Sequence, residues 1–287
     1  MCIRKLKENK VIIDGKALSK KIRDDIKEEV AKIVSENGVT PCLAVVLVGN
    51  DPASEIYVRN KIKGCEYTGI KSLSYKLEES TTEEELVSLI EKLNADNTVH
   101  GILVQMPLPK HINEKRIISL IDPKKDVDGF SVEQIGMLGL GTPDLITCTP
   151  HGVIELIKST GVDMSGKHAV VIGRSNVVGK PLMNLLLLEN CTVTVCHSKT
   201  EDLPSITRQA DILVAAIGRP KFVTEDMVKE GAIVIDVGIN RVDGKVCGDV
   251  DFENVEKKAS YITPVPGGVG PMTITMLLKN TLKAVRK

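Results

Sequence analysis

The sequence has no tryptophan and only 3 Phe and 4 Tyr among its 287 residues, which disfavours a surface that stacks nucleic-acid bases on aromatic rings. It also has no net charge, with 38 Lys plus Arg set against 38 Asp plus Glu. Nothing therefore draws it to a polyanion or to an acidic membrane surface. Long apolar runs are missing. Residues 43–48 and 185–188 are among the longest, far short of the ~20 residues that a membrane span needs. The charged start, 1–7, is not followed by the apolar stretch of a secretory signal. The seven cysteines (2, 42, 65, 148, 191, 196 and 247) contain no Cys-x-x-Cys pair, and the five histidines show no ligand spacing. Neither a zinc site nor a disulfide framework is expected; reduced thiols and a cytoplasmic location are.

What is present is an alternation of helix and strand signals. Leu18, Ile22, Ile26, Val30 and Ile33 recur at helical spacing and stop at Gly38. A buried strand follows at 42–48, then Asp51-Pro52, a cap and first-turn proline for a helix that runs to Gly69. Residues 72–77 alternate as a strand, Thr82-x-x-Glu85 is a capping box, and 99–106 reads as the next buried strand. The rhythm breaks over 122–150, rich in Asp, Gly and Pro, which reads as a passage between domains. A second series follows: strand 169–172, helix 181–189, strand 192–196, helix, strand 211–217, helix, strand 232–237. The expected fold is α/β with two α/β domains, the second a doubly wound Rossmann-type dinucleotide-binding domain.

The stretch around Gly173 centres this second domain. A strand ends at Gly173, Arg174 and Ser175 follow, and Gly179 with Pro181 opens an apolar helix. Backbone N–H groups and a positive helix end can there cradle a phosphate. The spacing is Gly-x-Ser-x-x-x-Gly rather than Gly-x-Gly-x-x-Gly, and an ordinary strand-to-helix turn would read the same way. The next strand ends at His197-Ser198-Lys199 without the acidic residue that usually holds the NAD ribose. Ser198, Lys199 and Arg174 suit the extra phosphate of NADP, unless 198 and 199 are simply solvated turn residues.

On the earlier helix, Tyr57 and Lys61 lie one turn apart on one face. A lysine facing a cleft can become a proton-transfer group, although most lysines in a charged helix are solvated. Gln105 ends a buried strand, at the ligand-facing edge of a parallel sheet, where a neutral amide holds a lysine or a carbonyl, or caps a loop. Asp126 and Asp128 read as turn residues, or as carboxylates able to grip a guanidine-like ring edge. The tail 264–273, with Gly267, Gly268, Pro271 and Thr273, reads as a second nest or as a tight turn before a last helix.

Tyr57-x-x-x-Lys61, Gly101-Ile-Leu-Val-Gln-Met-Pro-Leu-Pro109, Lys125-Asp-Val-Asp-Gly129, Cys148-Thr-Pro150, Gly173-Arg-Ser-x-x-Val-Gly179 and Pro264-Val-Pro-Gly-Gly-Val-Gly-Pro-Met-Thr273 together resemble one family. It is the bifunctional methylenetetrahydrofolate dehydrogenase/methenyltetrahydrofolate cyclohydrolase family. The resemblance runs from about Ile12 to the end of the chain. It implies a folate-binding catalytic domain over 1–147 and an NADP-binding domain over 148–287, with an active-site cleft between them and a last helix, about 272–287, returning to the first domain. It implies oxidation of the methylene bridge of a tetrahydrofolate derivative by NADP⁺, with NAD the lesser alternative, and then hydrolysis to 10-formyltetrahydrofolate. Lys61 would transfer protons, Gln105 would hold it, and Tyr57 would orient the folate. Asp128 would grip the pterin edge, and Gly268 and Pro271 would shape the substrate site. Gly173, Arg174, Ser175, Gly179, Ser198 and Thr273 would bind the cofactor, Arg174 and Ser198 at the 2′-phosphate. Family members are typically homodimers. The competing readings are a dehydrogenase without the hydrolytic step and a non-catalytic NADP sensor.

Overall fold

The computed structural model describes residues 3–5 and 11–286. In chain order these form β1 (Ile3–Lys5), β2 (Val11–Ile13), α1 (Gly15–Asn37), β3 (Cys42–Val48), α2 (Pro52–Thr68), β4 (Lys71–Leu77), α3 (Glu83–Ala95), β5 (Gly101–Val104), α4 (Glu114–Leu120), α5 (Val132–Gly139) and α6 (Cys148–Lys158). There follow β6 (His168–Ile172), α7 (Gly179–Leu188), β7 (Thr192–Cys196), α8 (Leu203–Thr207), β8 (Ile212–Ala215), β9 (Ile233–Asp236), β10 (Asn240–Val242), β11 (Lys245–Cys247), α9 (Phe252–Val255), β12 (Tyr261–Ile262) and α10 (Val269–Ala284). Cys2 lies outside the described residues.

The chain divides into two compact units. One comprises Lys21–Cys148 with the chain from Ile274 onward; the other comprises the chain up to Lys20 with Thr149–Thr273. The segment up to Lys20, assigned from sequence to a 1–147 domain, joins the second of these because β2 pairs in parallel with β12.

In the first unit the sheet order is β4-β3-β5, all parallel, with Val45 opposite both Ser74 and Leu103. The middle strand β3 is covered on both faces and is apolar throughout, as a central parallel strand must be. Leu86 and Ile90 of α3 and Ile117 of α4 are fully buried against Val46 and Ile102. The helix starts are where the local signals placed them. Asp51 accepts from Ser54 N at 2.8 Å, and Thr82 and Glu85 form the reciprocal capping box. Gly69 ends α2 in the left-handed conformation, φ +79°.

In the second unit the sheet order is β1-β2-β12-β9-β8-β6-β7, with β1 antiparallel and the other six strands parallel. From β6 the chain goes first to β7 on one side and later to β8 on the other, so the strand order reverses between β6 and β8. That reversal is the switch point where doubly wound sheets bind ligands, beyond the carboxyl ends of the strands. Val170, Leu213, Val234 and Ile262 fill the core on one face.

Two expectations need correction. No α-helix lies between β8 and β9: there is a single 3₁₀ turn, Glu225–Met227. Pro220 and left-handed Lys221 (φ +51°) break the segment, and Val223 pairs with Val250 instead. Nor is 122–150 a simple passage. Ser131 caps α5, and buried Gln134 donates to Pro123 O (2.8 Å) and accepts from Leu145 N (2.9 Å), folding the segment into the first unit.

Candidate active site

In the unit built on β3, α2 carries Tyr57 and Lys61 one turn apart. Lys61 is half-buried, and its Nζ donates to Gln105 Oε1 at 3.0 Å. Gln105 follows β5, tied to the sheet by its N–H to Val46 O (2.8 Å). Its Nε2 donates to Met106 O at 2.7 Å, which leaves the amide oxygen for the lysine. Tyr57 is 39% exposed, a large ring left in solvent on the Lys61 face.

The loop carrying Asp128 is held from three sides. Lys125 Nζ donates to the carbonyls of Leu93 (3.0 Å), Asn94 (2.7 Å) and Asp96 (2.8 Å), closing the carboxyl end of α3. Buried Asp126 bridges to Ile102 and accepts from Gly129 N (3.0 Å) and Ser131 N (2.6 Å). Asn280 of α10 donates to Val127 O (2.8 Å) and Ile146 O (2.7 Å). Asp128 itself is half-buried. Burial pushes its carboxyl above the usual aspartate range, opposed chiefly by the positive charge of Lys61. Cys148 donates to Val127 O at 3.3 Å, and burial together with the Asp128 charge pushes its thiol far up, so it is packing and not a nucleophile. Lys61, Gln105 and Asp128 thus share one electrostatic neighbourhood. Lys125 and Asn280, which fix it, carry no local signal in the sequence; Asp126 takes the turn role, buried with its carboxylate on Gly129 N and Ser131 N.

In the other unit, Gly173 has φ +124° and no room for a Cβ, which would overlap Ala216 O. A Cβ on Gly179 would overlap Gly173 O, so the turn is closed by backbone against backbone. Ser175 Oγ accepts from Val178 N at 3.2 Å and Gly179 N at 3.5 Å, keeping its own O–H as a donor. Val178, at the N-cap of α7, offers no capping side chain. The glycine turn, the free hydroxyl hydrogen of Ser175 and exposed Arg174 fit an anionic cofactor group. Exposed Ser198 lies in the turn after β7, the strand paired with β6. That turn is shaped by Thr200 Oγ1, which accepts from His197 N at 2.8 Å.

The glycine–proline tail is equally tight. A Cβ on Gly268 would come within 2.7 Å of Pro264 O and 2.8 Å of Thr263 Cβ. Gly15 packs on Gly268 O, and Lys16 N donates to Gly267 O at 3.1 Å. Pro271 O accepts from Ser19 Oγ (3.3 Å), and Thr273 Oγ1 meets Thr149 Oγ1 at 3.0 Å. Among the described residues no His, Cys, Asp and Glu cluster could hold a metal, and no helix is long and apolar enough to cross a membrane.

A switch-point glycine turn in a doubly wound sheet, and an α/β unit bearing a lysine–amide pair, define a dinucleotide-binding enzyme class. The comparisons narrow it. The tetrahydrofolate dehydrogenase/cyclohydrolase catalytic-domain profile matches residues 13–128, and the NAD(P)-binding-domain profile of the same family matches 147–287. The chain belongs to that family. It is 59% identical to the bifunctional protein FolD of Agathobacter rectalis over 96% of this chain and 99% of that protein. Among solved structures it is similar to the bifunctional FolD of Campylobacter jejuni, with 55% identity, TM-score 0.94, and 96% and 98% of the two chains covered. It is also similar to the Trypanosoma brucei methylenetetrahydrofolate dehydrogenase-cyclohydrolase complexed with NADP and an inhibitor, with 40% identity, TM-score 0.92, and 96% and 97% covered.

Proposed function

We infer that this chain is a bifunctional one-carbon folate enzyme. It oxidises methylenetetrahydrofolate to methenyltetrahydrofolate with NADP⁺ and hydrolyses the product to 10-formyltetrahydrofolate. The observation that carries the reading is the 3.0 Å hydrogen bond from Lys61 Nζ to Gln105 Oε1, in a family whose profiles span both units.

The proposed roles follow from this arrangement. The turn 173–179, Arg174, Ser175, Ser198 and Thr273 bind the cofactor. Arg174 and Ser198, with no acid in the turn 197–200, favour NADP over NAD. When bound, NADP⁺ supplies the acceptor for the hydride leaving the methylene bridge. Asp128 grips the nitrogen-rich pterin edge by paired hydrogen bonds, and exposed Tyr57 orients the folate. Gly268 and Pro271 shape the substrate's surroundings. The methenyl carbon produced is electron-poor, so hydrolysis needs a positioned water and a group that takes its proton. Lys61 performs that transfer through its unprotonated amine, whose lone pair takes the proton of water and becomes the fourth bond of an ammonium. Gln105 accepts one of the hydrogens on Nζ and orients the group without adding charge, leaving the remaining positions for water or substrate.

Residues around β3–β5 therefore form the folate-binding catalytic domain, and the second unit is the NADP-binding domain. A cytoplasmic location is supported by the free thiols of Cys42, Cys65, Cys148, Cys191, Cys196 and Cys247. A homodimer formed through the cofactor units is supported by exposed Leu187 and Leu188 on α7, next in the chain to edge strand β7.

The test is spectrophotometric: purified protein with methylenetetrahydrofolate, comparing NADP⁺ with NAD⁺. Faster reduction of NADP⁺, followed by decay of methenyl absorbance above the buffer rate, is expected. Reduction without accelerated decay would leave a dehydrogenase and remove the role of Lys61. No reduction with either cofactor would favour the sensor.

A further inference from the structure

Two aspartates lie deep in the cofactor-binding unit and take no part in the chemistry above. Asp236, at the end of β9, is 3% exposed, and Asp249 is 0% exposed. Aspartate is almost never buried without partners, and here the partners are mostly backbone N–H groups. Asp249 accepts from Ile217 N (2.7 Å), Gly218 N (3.0 Å), Arg219 N (2.8 Å) and Asn240 Nδ2 (2.9 Å). Asp236 in turn accepts from Asp249 N, Val250 N and Gly238 N, each at 2.9 Å. Its own N–H donates to Thr263 Oγ1 at 2.8 Å. The two glycines nearest these carboxylates have no choice of residue. A Cβ on Gly238 would overlap the Asp249 carboxylate, and one on Gly248 would overlap that of Asp236.

The three consecutive N–H groups gathered by Asp249 belong to the loop that leaves β8 at its carboxyl end, beside the switch point between β6 and β8. The same loop touches the phosphate turn. Ala216 N donates to Ile172 O at 2.8 Å, and Ala216 O occupies the space that a Cβ on Gly173 would need. The hydrogen bonds therefore run from Thr263 through Asp236 and Asp249 to 217–219, and packing carries on from there to Gly173.

We propose that Asp249 is a positioning residue for the cofactor, fixing the 216–219 loop as one wall of the dinucleotide site, with Asp236 holding Asp249 in place. An acceptor-only carboxylate suits this task, because it collects three N–H groups of a tight loop that neither a hydroxyl nor an amide can satisfy together. The cofactor then meets a loop already ordered and does not have to order it on binding. The inference rests on the reading of this unit as the NADP-binding one.

Asp249→Asn keeps the shape but replaces one acceptor by an N–H₂ that faces other donors. The expected result is a rise of about tenfold in KM for NADP⁺ and in its Kd by calorimetry, with KM for methylenetetrahydrofolate moving less than about twofold. Asn240→Ala removes a single partner of Asp249, should give about a threefold rise in the same constants, and serves if Asp249→Asn does not fold. An unchanged KM and Kd for NADP⁺ in a folded variant would overturn the proposal. So would equal rises in KM for cofactor and folate, which mark general loosening. If calorimetry finds no NADP⁺ binding to the unaltered protein, it is the functional reading that fails.

Discussion

The two units hold their working groups by different means. Around β3–β5 the chemistry is in side chains: Lys61 held by the Gln105 amide, that amide held by Met106 O, and the Asp128 carboxyl on a loop tied down by Asn280. Around β6–β8 the working surface is backbone. Gly173 and Gly179 are packed against other main-chain atoms, and buried Asp249 collects main-chain N–H groups. A side-chain site is damaged by changing a functional group and tolerates the loss of bulk. A backbone site is damaged by one added methyl, or by loss of the buried carboxylate that gathers its N–H groups.

The sharpest way to break that contrast is at Lys61. Lys61→Met should lower methenyl hydrolysis by about a thousandfold, while Kd for NADP⁺ by calorimetry stays the same. Unchanged hydrolysis would end the role given to Lys61. On the other side, Gly179→Ala should raise KM for NADP⁺ by about a hundredfold, because the new Cβ forces Gly173 and α7 apart. An equal rise in KM for the folate would show that the two sites are not built separately. Gln105→Leu is smaller, about tenfold on hydrolysis, since Lys61 itself remains and loses only its orientation.

A pH experiment separates the buried carboxylates from the surface ones. Burial pushes the Asp236 carboxyl up from 3.8 to about 6. Folding therefore favours its protonated form. This contribution to stability is complete below the unfolded value and is lost as pH rises through the folded value. The Tm advantage of the unaltered protein over Asp236→Asn should shrink between pH 4 and pH 6 and stay level above. An advantage that grows over that range would reverse the sign assigned to burial. Least of all, Thr82→Ala should cost ~1 kcal/mol in thermal unfolding and leave both KM values alone, because the capping box of α3 serves only its helix.

Much of the site could be read from the chain because its signals are local. Tyr57 and Lys61 lie on one helix face whatever the helix packs on, and the glycines at 173 and 179 mark a strand–turn–helix whose parts are adjacent in sequence. The pairing of Lys61 with Gln105 was suggested by family resemblance, and its hydrogen bond is a tertiary fact, formed across 44 positions. Asp236 and Asp249 carry a signal too faint to use in advance. An Asp two residues before one glycine, and another directly after a second, are visible in sequence only to a reader who knows that their carboxylates fill the space in question.

By itself, the sequence determined the helix starts at Asp51 and Thr82, the buried strands, and the parallel α/β class, since caps and hydrophobic periods act within a few residues. Tertiary structure decided what those elements join. It set β2 beside β12, replaced an expected helix by the Val223–Val250 pairing, and drew Asn280 onto the Asp128 loop. Strand edges and buried polar groups must be satisfied by whatever the completed fold brings near, and no short window of sequence contains that partner.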